Sequence, residues 1–294
     1  MLNAFTWIGL WISHGLAKLP RALLRRLSSL IGTLTYWFYP YRRRIARRNL
    51  ELCFPDRSAS QRGEIALRHF RLYGLAFFDR FRLWSCSAHA LRQFVRLTNP
   101  EVLEAAGERP IIILAPHFLG IEAGGMRLQL ERRLVNIYSL QRNPVLDDWT
   151  LRGRQRFNQP ILLARSQGVV PAVRYVKQHV PFHFSPDLDL GRRDSIFVDF
   201  FGVPASTVTS LVRIARITRA MVIPMVTRMT TAGYEARFYP GWTHPDDDAQ
   251  ETVHEGVVRM NRFIEERILE APEQYLWTHR RFKTRPEGTP SVYG

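Results

Sequence analysis

The stretch ILAPHFLGIEAGG, residues 113–125, sets His117 five positions ahead of Glu122. An imidazole oriented by a carboxylate is a general base: the carboxylate fixes the tautomer, leaves Nε2 free and stabilises the imidazolium formed when a proton is taken. A hydroxyl activated in this way can attack an acyl carbon. The spacing itself is cheap, because nine histidines and 26 acidic residues in a chain of 294 give about 0.8 such pairs by chance. Placement adds weight. IIILA (111–115) reads as a buried strand, Pro116 breaks it and a helix is expected from 119. His117 then falls in the turn at the C-terminal end of a strand, where open α/β sheets bind ligands. Residues five apart on a regular helix face different ways, so His117 must stand in the turn and fold back to reach Glu122. The competing reading is a helix cap beside an unrelated surface acid.

Other chemistries find less support. The chain has no G-x-S-x-G elbow, no P-loop and no G-x-G-x-x-G. His179 and His183 have the i, i+4 spacing of metal ligands, but Pro181 opposes the helix that would present both, so no metal is expected. Asp246, Asp247 and Asp248 read as a solvated acidic loop before a helix. Cys53 and Cys86 make no disulfide framework and fit a reducing compartment as structural residues.

The elements that must position His117 follow from periodicity. Residues 60–84 place apolar groups at helical spacing among arginines. From 110 onward short β-rich runs at 111–115, 134–139, 160–164, 180–185, 195–201, 221–229 and 234–240 alternate with helical stretches at 119–131, 144–156, 168–178, 206–218 and 249–269. The pattern predicts an α/β fold: a mixed central sheet covered by helices on both faces, preceded by an N-terminal helical membrane-anchoring segment. The expected organisation is an anchor with a basic flank over 1–50 and a catalytic domain over 51–294, made of a helical lead-in (51–105) and an α/β core (106–285).

The charge supports the anchor. The net charge is +16, and residues 1–50 hold nine basic side chains and no acid, interleaved with the apolar stretches 2–12 and 27–39, which carry Trp and Tyr. Each stretch is shorter than the roughly 20 residues that span a bilayer, so an interfacial or marginally spanning anchor is expected. The basic residues follow the first apolar run, unlike those of a secretory signal. They would hold the bulk of the chain at the cytoplasmic side. No nucleic-acid module is recognisable among the arginines.

Seven ordered blocks then look like one family, the bacterial lipid A late acyltransferases, which add lauroyl or myristoyl chains. They are YRRRIARRNLELCFP (41–55), APHFLGIE (115–122), LRGRQRFNQ (151–159), SPDLDLGRRDSIFVDFFGVPA (185–205), MVIPM (221–225), RMNRFIEERI (259–268) and APEQYLWTHRRFKTRPEG (271–288). The resemblance implies an acyl carrier protein thioester as donor, a hydroxyl on a 3-hydroxyacyl chain of a Kdo-bearing lipid A precursor as acceptor, no cofactor, and the cytoplasmic face of the bacterial inner membrane. A different glycolipid or a glycerophospholipid is the alternative acceptor. Carried over by position, His117 is the general base and Glu122 its partner, Arg154 positions a phosphate or steadies charge, and Asp187 and Asp189 fall on the substrate-binding D-x-D-x-G block. Here that block reads DLDLG, with Leu188 and Leu190 where polar or aromatic residues are common. Asp187 and Asp189 also fit loop residues paired with Arg192 and Arg193. The oxyanion stabiliser is left between backbone N–H groups near 119 and an arginine.

Overall fold

A computed structural model describes residues 2–244 and 252–293, so the three aspartates at 246–248 lie outside the described residues. Its helices are α1 (Leu2–Leu16), α2 (Arg21–Phe38), α3 (Pro40–Cys53), α4 (Ala59–Leu83), α5 (Ala88–Phe94), α6 (Ile121–Gln129), α7 (Pro144–Arg154), α8 (Val170–Lys177), α9 (Ser210–Thr218) and α10 (Val253–Glu270). Its strands are β1 (Val95–Thr98), β2 (Ile111–Leu114), β3 (Val135–Tyr138), β4 (Ile161–Ala164), β5 (Phe182–Phe184), β6 (Ser195–Phe200), β7 (Val203–Val208), β8 (Met221–Met229), β9 (Tyr234–Phe238) and β10 (Trp242–Thr243).

The main sheet runs β1-β9-β8-β2-β5-β3-β4, with β10 also on β8. From β8 to β4 all neighbours are parallel, and β9 turns antiparallel on β8. Successive residues of β2 enter opposite cores: Ile112 and Leu114 pack with Val222, Val226 and Phe182, while Ile111 and Ile113 pack with Ile223, Met225 and Met126. A strand buried on both faces needs a continuous apolar run, which is why IIIL is uninterrupted. Helices cover both faces, α6 on one and α9 and α10 on the other. Capping boxes start helices α4 and α10, Ser58 with Gln61 and Thr252 with Glu255.

Three expectations change. The run 195–201 leaves the main sheet and forms a separate antiparallel hairpin, β6 with β7. Residues 206–208, expected in a helix, end β7 because Ser206, Thr207 and Val208 pair with Phe197, Ile196 and Ser195. The edge strand β1 was hidden by its shortness and by Arg96, which points outward.

The N-terminal helices do not stand apart from the rest. Leu24 and Tyr36 of α2 are buried in the same two cores that line the sheet. Asp79 of α4, fully buried, accepts from Arg21 and, at 2.7 Å, from the Tyr234 hydroxyl, linking α2, α4 and β9. Among the described residues no helix is long and apolar enough to cross a membrane. Phe5, Trp7, Ile8, Trp11 and Ile12 of α1 and Leu23, Leu30, Leu34, Trp37 and Phe38 of α2 are all exposed.

Candidate active site

Strand β2 carries the chain to its C-terminal edge, where the Ala115 N–H donates to the Phe184 carbonyl at 2.9 Å and Pro116 ends the ladder. His117 follows in the turn before α6. Its carbonyl accepts from the Leu276 N–H at 3.0 Å, and the Leu119 N–H donates to the Gln274 carbonyl at 2.8 Å, so the C-terminal segment clamps the turn on both sides. Phe118, buried beside Tyr275, turns inward and leaves His117 facing a cleft of about 760 Å³.

The carboxylate that holds the imidazole is Asp187. Its Oδ1 lies 2.7 Å from His117 Nδ1 and its Oδ2 accepts the His117 backbone N–H at 2.8 Å. Asp187 is fully buried, whereas the His117 side chain keeps 23% of its surface. Burial pushes the Asp187 carboxyl up, but the attraction of His117 and the hydrogen bonds from its ring and amide prevail and hold it below the ordinary value. An ionised Asp187 can only accept, which places the ring proton on Nδ1 and leaves the Nε2 lone pair free to accept a hydrogen bond or a proton.

Glu122 is used differently, and the expected contact with His117 is corrected. Its carboxylate is taken by a fork: Arg154 Nε reaches Oε1 at 2.9 Å and Arg154 Nη2 reaches Oε2 at 2.5 Å, while Trp84 Nε1 donates to Oε1 at 3.1 Å. Glu122 lies in the first turn of α6 with its carboxylate committed to Trp84, just after α4, and to Arg154 at the end of α7, whereas Asp187 approaches His117 from the loop after β5. Burial raises the Glu122 carboxyl, and the neighbouring Arg154 guanidinium overrides it, leaving a pKa of about 2. Two glycines make this geometry possible. A Cβ at Gly124 would lie 1.9 Å from Thr227 Oγ1, so only glycine lets α6 rest on β8; a Cβ at Gly153 would lie 2.4 Å from the Trp84 ring. Arg154 Nη1 has no protein partner among the described residues, and Arg154 is one of the residues that line the cleft.

Asp189 does not face the cleft. Its carboxylate accepts from the Gly191 N–H at 3.0 Å, the Thr284 N–H at 2.6 Å and the Thr284 hydroxyl at 2.7 Å, and its own N–H donates to His279 Nε2 at 3.2 Å. It pins the DLDLG loop to the C-terminal segment. Neither aspartate pairs with Arg192 or Arg193: Arg192 donates to the Arg285 carbonyl and Arg193 lies beside Asp194. The DLDLG block thus turns its carboxylates inward to protein donors, and Leu188 and Leu190 line the cleft. The Leu119 N–H, one backbone candidate for an oxyanion donor, is already bonded to Gln274.

The cleft wall mixes apolar side chains, among them Phe184, Leu162 and Val208, with Arg80, Arg154, Arg165 and Arg193. That combination suits a molecule with a hydrocarbon part and an anionic part. Trp84 and Arg80, which contribute to the Glu122 environment, sit on or just after an amphipathic helix whose sequence pattern marks them only as packing and surface residues. His183 lies on β5 against Gly125, and burial pushes it down to about 4, so it is neutral near pH 7. Among the described residues no cluster of metal-ligating side chains is found.

A model of the family described as bacterial lipid A biosynthesis acyltransferase matches residues 1–284. The chain is 33% identical over 294 residues to the lipid A biosynthesis lauroyltransferase of Escherichia coli (strain K12), covering 98% of this chain and 94% of that one. It is 32% identical to the palmitoleoyltransferase of the same strain, over 98% and 94% of the two chains, and 28% identical to the myristoyltransferase, over 98% and 89%. With a mixed α/β architecture and a match that runs almost from end to end, the chain belongs to the bacterial lipid A biosynthesis acyltransferase family and is an O-acyltransferase.

Proposed function

We propose that the enzyme moves a fatty acyl chain from an acyl carrier protein thioester to the hydroxyl of a 3-hydroxyacyl chain on a Kdo-bearing lipid A precursor, at the cytoplasmic face of the inner membrane. The observation that carries the mechanism is the His117 imidazole held by a buried carboxylate at the mouth of a mixed apolar and basic cleft. His117 Nε2 takes the proton of the acceptor hydroxyl as its oxygen attacks the thioester carbonyl. The tetrahedral oxyanion collapses, the carbon–sulfur bond breaks, and the imidazolium returns its proton to the departing thiolate. Ester and thiol are the products, so atoms and charge balance. Asp187 keeps the tautomer and stabilises the imidazolium, a contribution of roughly 10² to 10⁴-fold from a positioned base.

Arg154, oriented by Glu122, which Trp84 in turn holds, offers Nη1 to developing charge or to a phosphate of the acceptor. In this reading Glu122 acts through Arg154 rather than through His117, and Asp189 keeps the cleft wall in place. No cofactor takes part. Residues 1–50 dock their exposed aromatic and aliphatic side chains into the headgroup layer, and residues 51–294 carry catalysis. The acceptor phosphates, the acidic donor protein and the anionic leaflet all suit a chain of net charge +16. Purified enzyme given a panel of acyl carrier protein thioesters and a Kdo-bearing tetra-acylated precursor should yield a product heavier by one acyl chain. A precursor of unchanged mass, with a glycerophospholipid acylated instead, would remove lipid A as the acceptor.

A further inference from the structure

Across α4 from the catalytic cleft lies a second cavity, of about 790 Å³, between α2 and α4. The two helices touch closely at Gly32, where a Cβ would lie 2.5 Å from the Arg71 Cα, and again at Gly74, where a Cβ would lie 3.1 Å from the Ser28 carbonyl oxygen. The two sides of α4 serve different cavities: Arg68, Arg71, Leu72 and Leu75 line this one, whereas Tyr73, Ala76 and Arg80 line the cleft with His117. Four arginines, Arg25, Arg26, Arg68 and Arg71, surround the space, and Glu273 is the one acid among its lining residues. Arg71 Nε donates to Thr33 Oγ1 at 3.0 Å and Arg68 bonds Glu64 at 2.5 Å, but Arg25 and Arg26 have no protein partner among the described residues. Both are exposed on α2, the helix that presents Leu23, Leu30, Leu34, Trp37 and Phe38 outward.

We propose that this groove is a binding site for the phosphodiester headgroup of an anionic glycerophospholipid, separate from the catalytic cleft. The proposal rests on the reading of the exposed face of α1 and α2 as a membrane-docking surface. An apolar face immersed in a leaflet brings the arginines beside it to the depth of the lipid phosphates, where guanidinium groups grip phosphate oxygens in pairs. Leu30, Leu72 and Leu75 give the glycerol and first methylenes an apolar wall, which a free phosphate would not use. An acidic carrier protein would meet the same charges but would not reach the buried Leu75. The lipid would orient the enzyme on the leaflet with the cleft on the far side of α4 open to both substrates.

Co-sedimentation of the full chain with phosphatidylcholine vesicles, with and without phosphatidylglycerol, tests it, using Arg25→Gln/Arg26→Gln/Arg68→Gln beside a charge-matched control, Arg96→Gln/Arg109→Gln/Arg174→Gln. The wild type should prefer the phosphatidylglycerol vesicles, and short-chain soluble phosphatidylglycerol should compete where inorganic phosphate does not. The groove variant should lose on the order of 10²-fold of that preference, about fivefold for each arginine, while keeping its partitioning to phosphatidylcholine and its transfer rate in detergent micelles. The control should lose far less. Equal losses in the two variants would overturn the site, because the charge would then act diffusely, and so would equal competition by inorganic phosphate. Failure of the transfer assay with lipid selectivity intact would count against the proposed reaction and not against this groove; a wild type that bound neither vesicle would remove the docking surface and the groove together.

Discussion

Replacing Asp187 by asparagine keeps the size of the side chain and removes its charge. An amide can donate to Nδ1, which puts the ring proton on Nε2 and leaves no base on the cleft side. Asp187→Asn should therefore lower kcat by roughly 10²-fold or more with KM little changed, as measured by steady-state transfer from an acyl thioester. An unaffected kcat would show that the contact at 2.7 Å is structural. Glu122 answers to a different measurement. Its pKa of about 2 instead of 4.5 means that the ionised carboxylate stabilises the fold fully above pH 4.5 and that this support is lost as the pH falls towards 2. The shift corresponds to about 3 kcal/mol, so Glu122→Gln should lose about that much stability to denaturant at pH 7 and converge on the wild type in acid. A pH-independent difference would contradict the ion-pair account. The histidine was legible in the sequence from its place after a buried strand, while its partner was not, because Asp187 lies 70 residues away and is brought to it by strand order rather than by spacing.

At the scale of elements, the position of α6 depends on Gly124. An alanine there must displace the Thr227 side chain or tilt the helix that bears Glu122, at a cost of about 1 to 3 kcal/mol for an overpacked contact. Gly124→Ala should lower the unfolding midpoint, and adding Thr227→Ala should recover part of it; equal stability of Gly124→Ala and the wild type would mean that the helix contact is looser than the structure has it. The helices and parallel strands were readable because their apolar runs match a single period. MVIPMVTRM became β8 over the residues expected, 221–229. The hairpin was misplaced because SIFVDFF has the composition of a sheet strand while its partner VPASTV lacks an alternating apolar pattern. Register of that kind depends on pairing, which no window of sequence contains.

For the molecule as a whole, burial holds three histidines, His69, His183 and His279, at about 4. Their folded values are depressed, so the unfolded chain binds protons first and stability falls as the pH drops from 6.5 towards 4. Unfolding should take up as many as three extra protons in that window, and the thermal midpoint should fall steeply between pH 7 and pH 5; a flat profile would contradict the burial of these rings. The α/β class was visible in the alternation of β-rich and helical runs, whereas the sharing of two cores by α2 and the sheet depended on long-range contacts such as those of Asp79 with Arg21 and Tyr234.

The central claim is that His117, held by Asp187, removes the acceptor proton. The most direct measurement follows acyl transfer from a carrier protein thioester to a Kdo-bearing precursor by the wild type and by His117→Ala, with folding checked by thermal unfolding and product read by mass. A loss of roughly 10² to 10⁴-fold in kcat with an unchanged fold is the predicted result, and transfer by His117→Ala at the wild-type rate would contradict it.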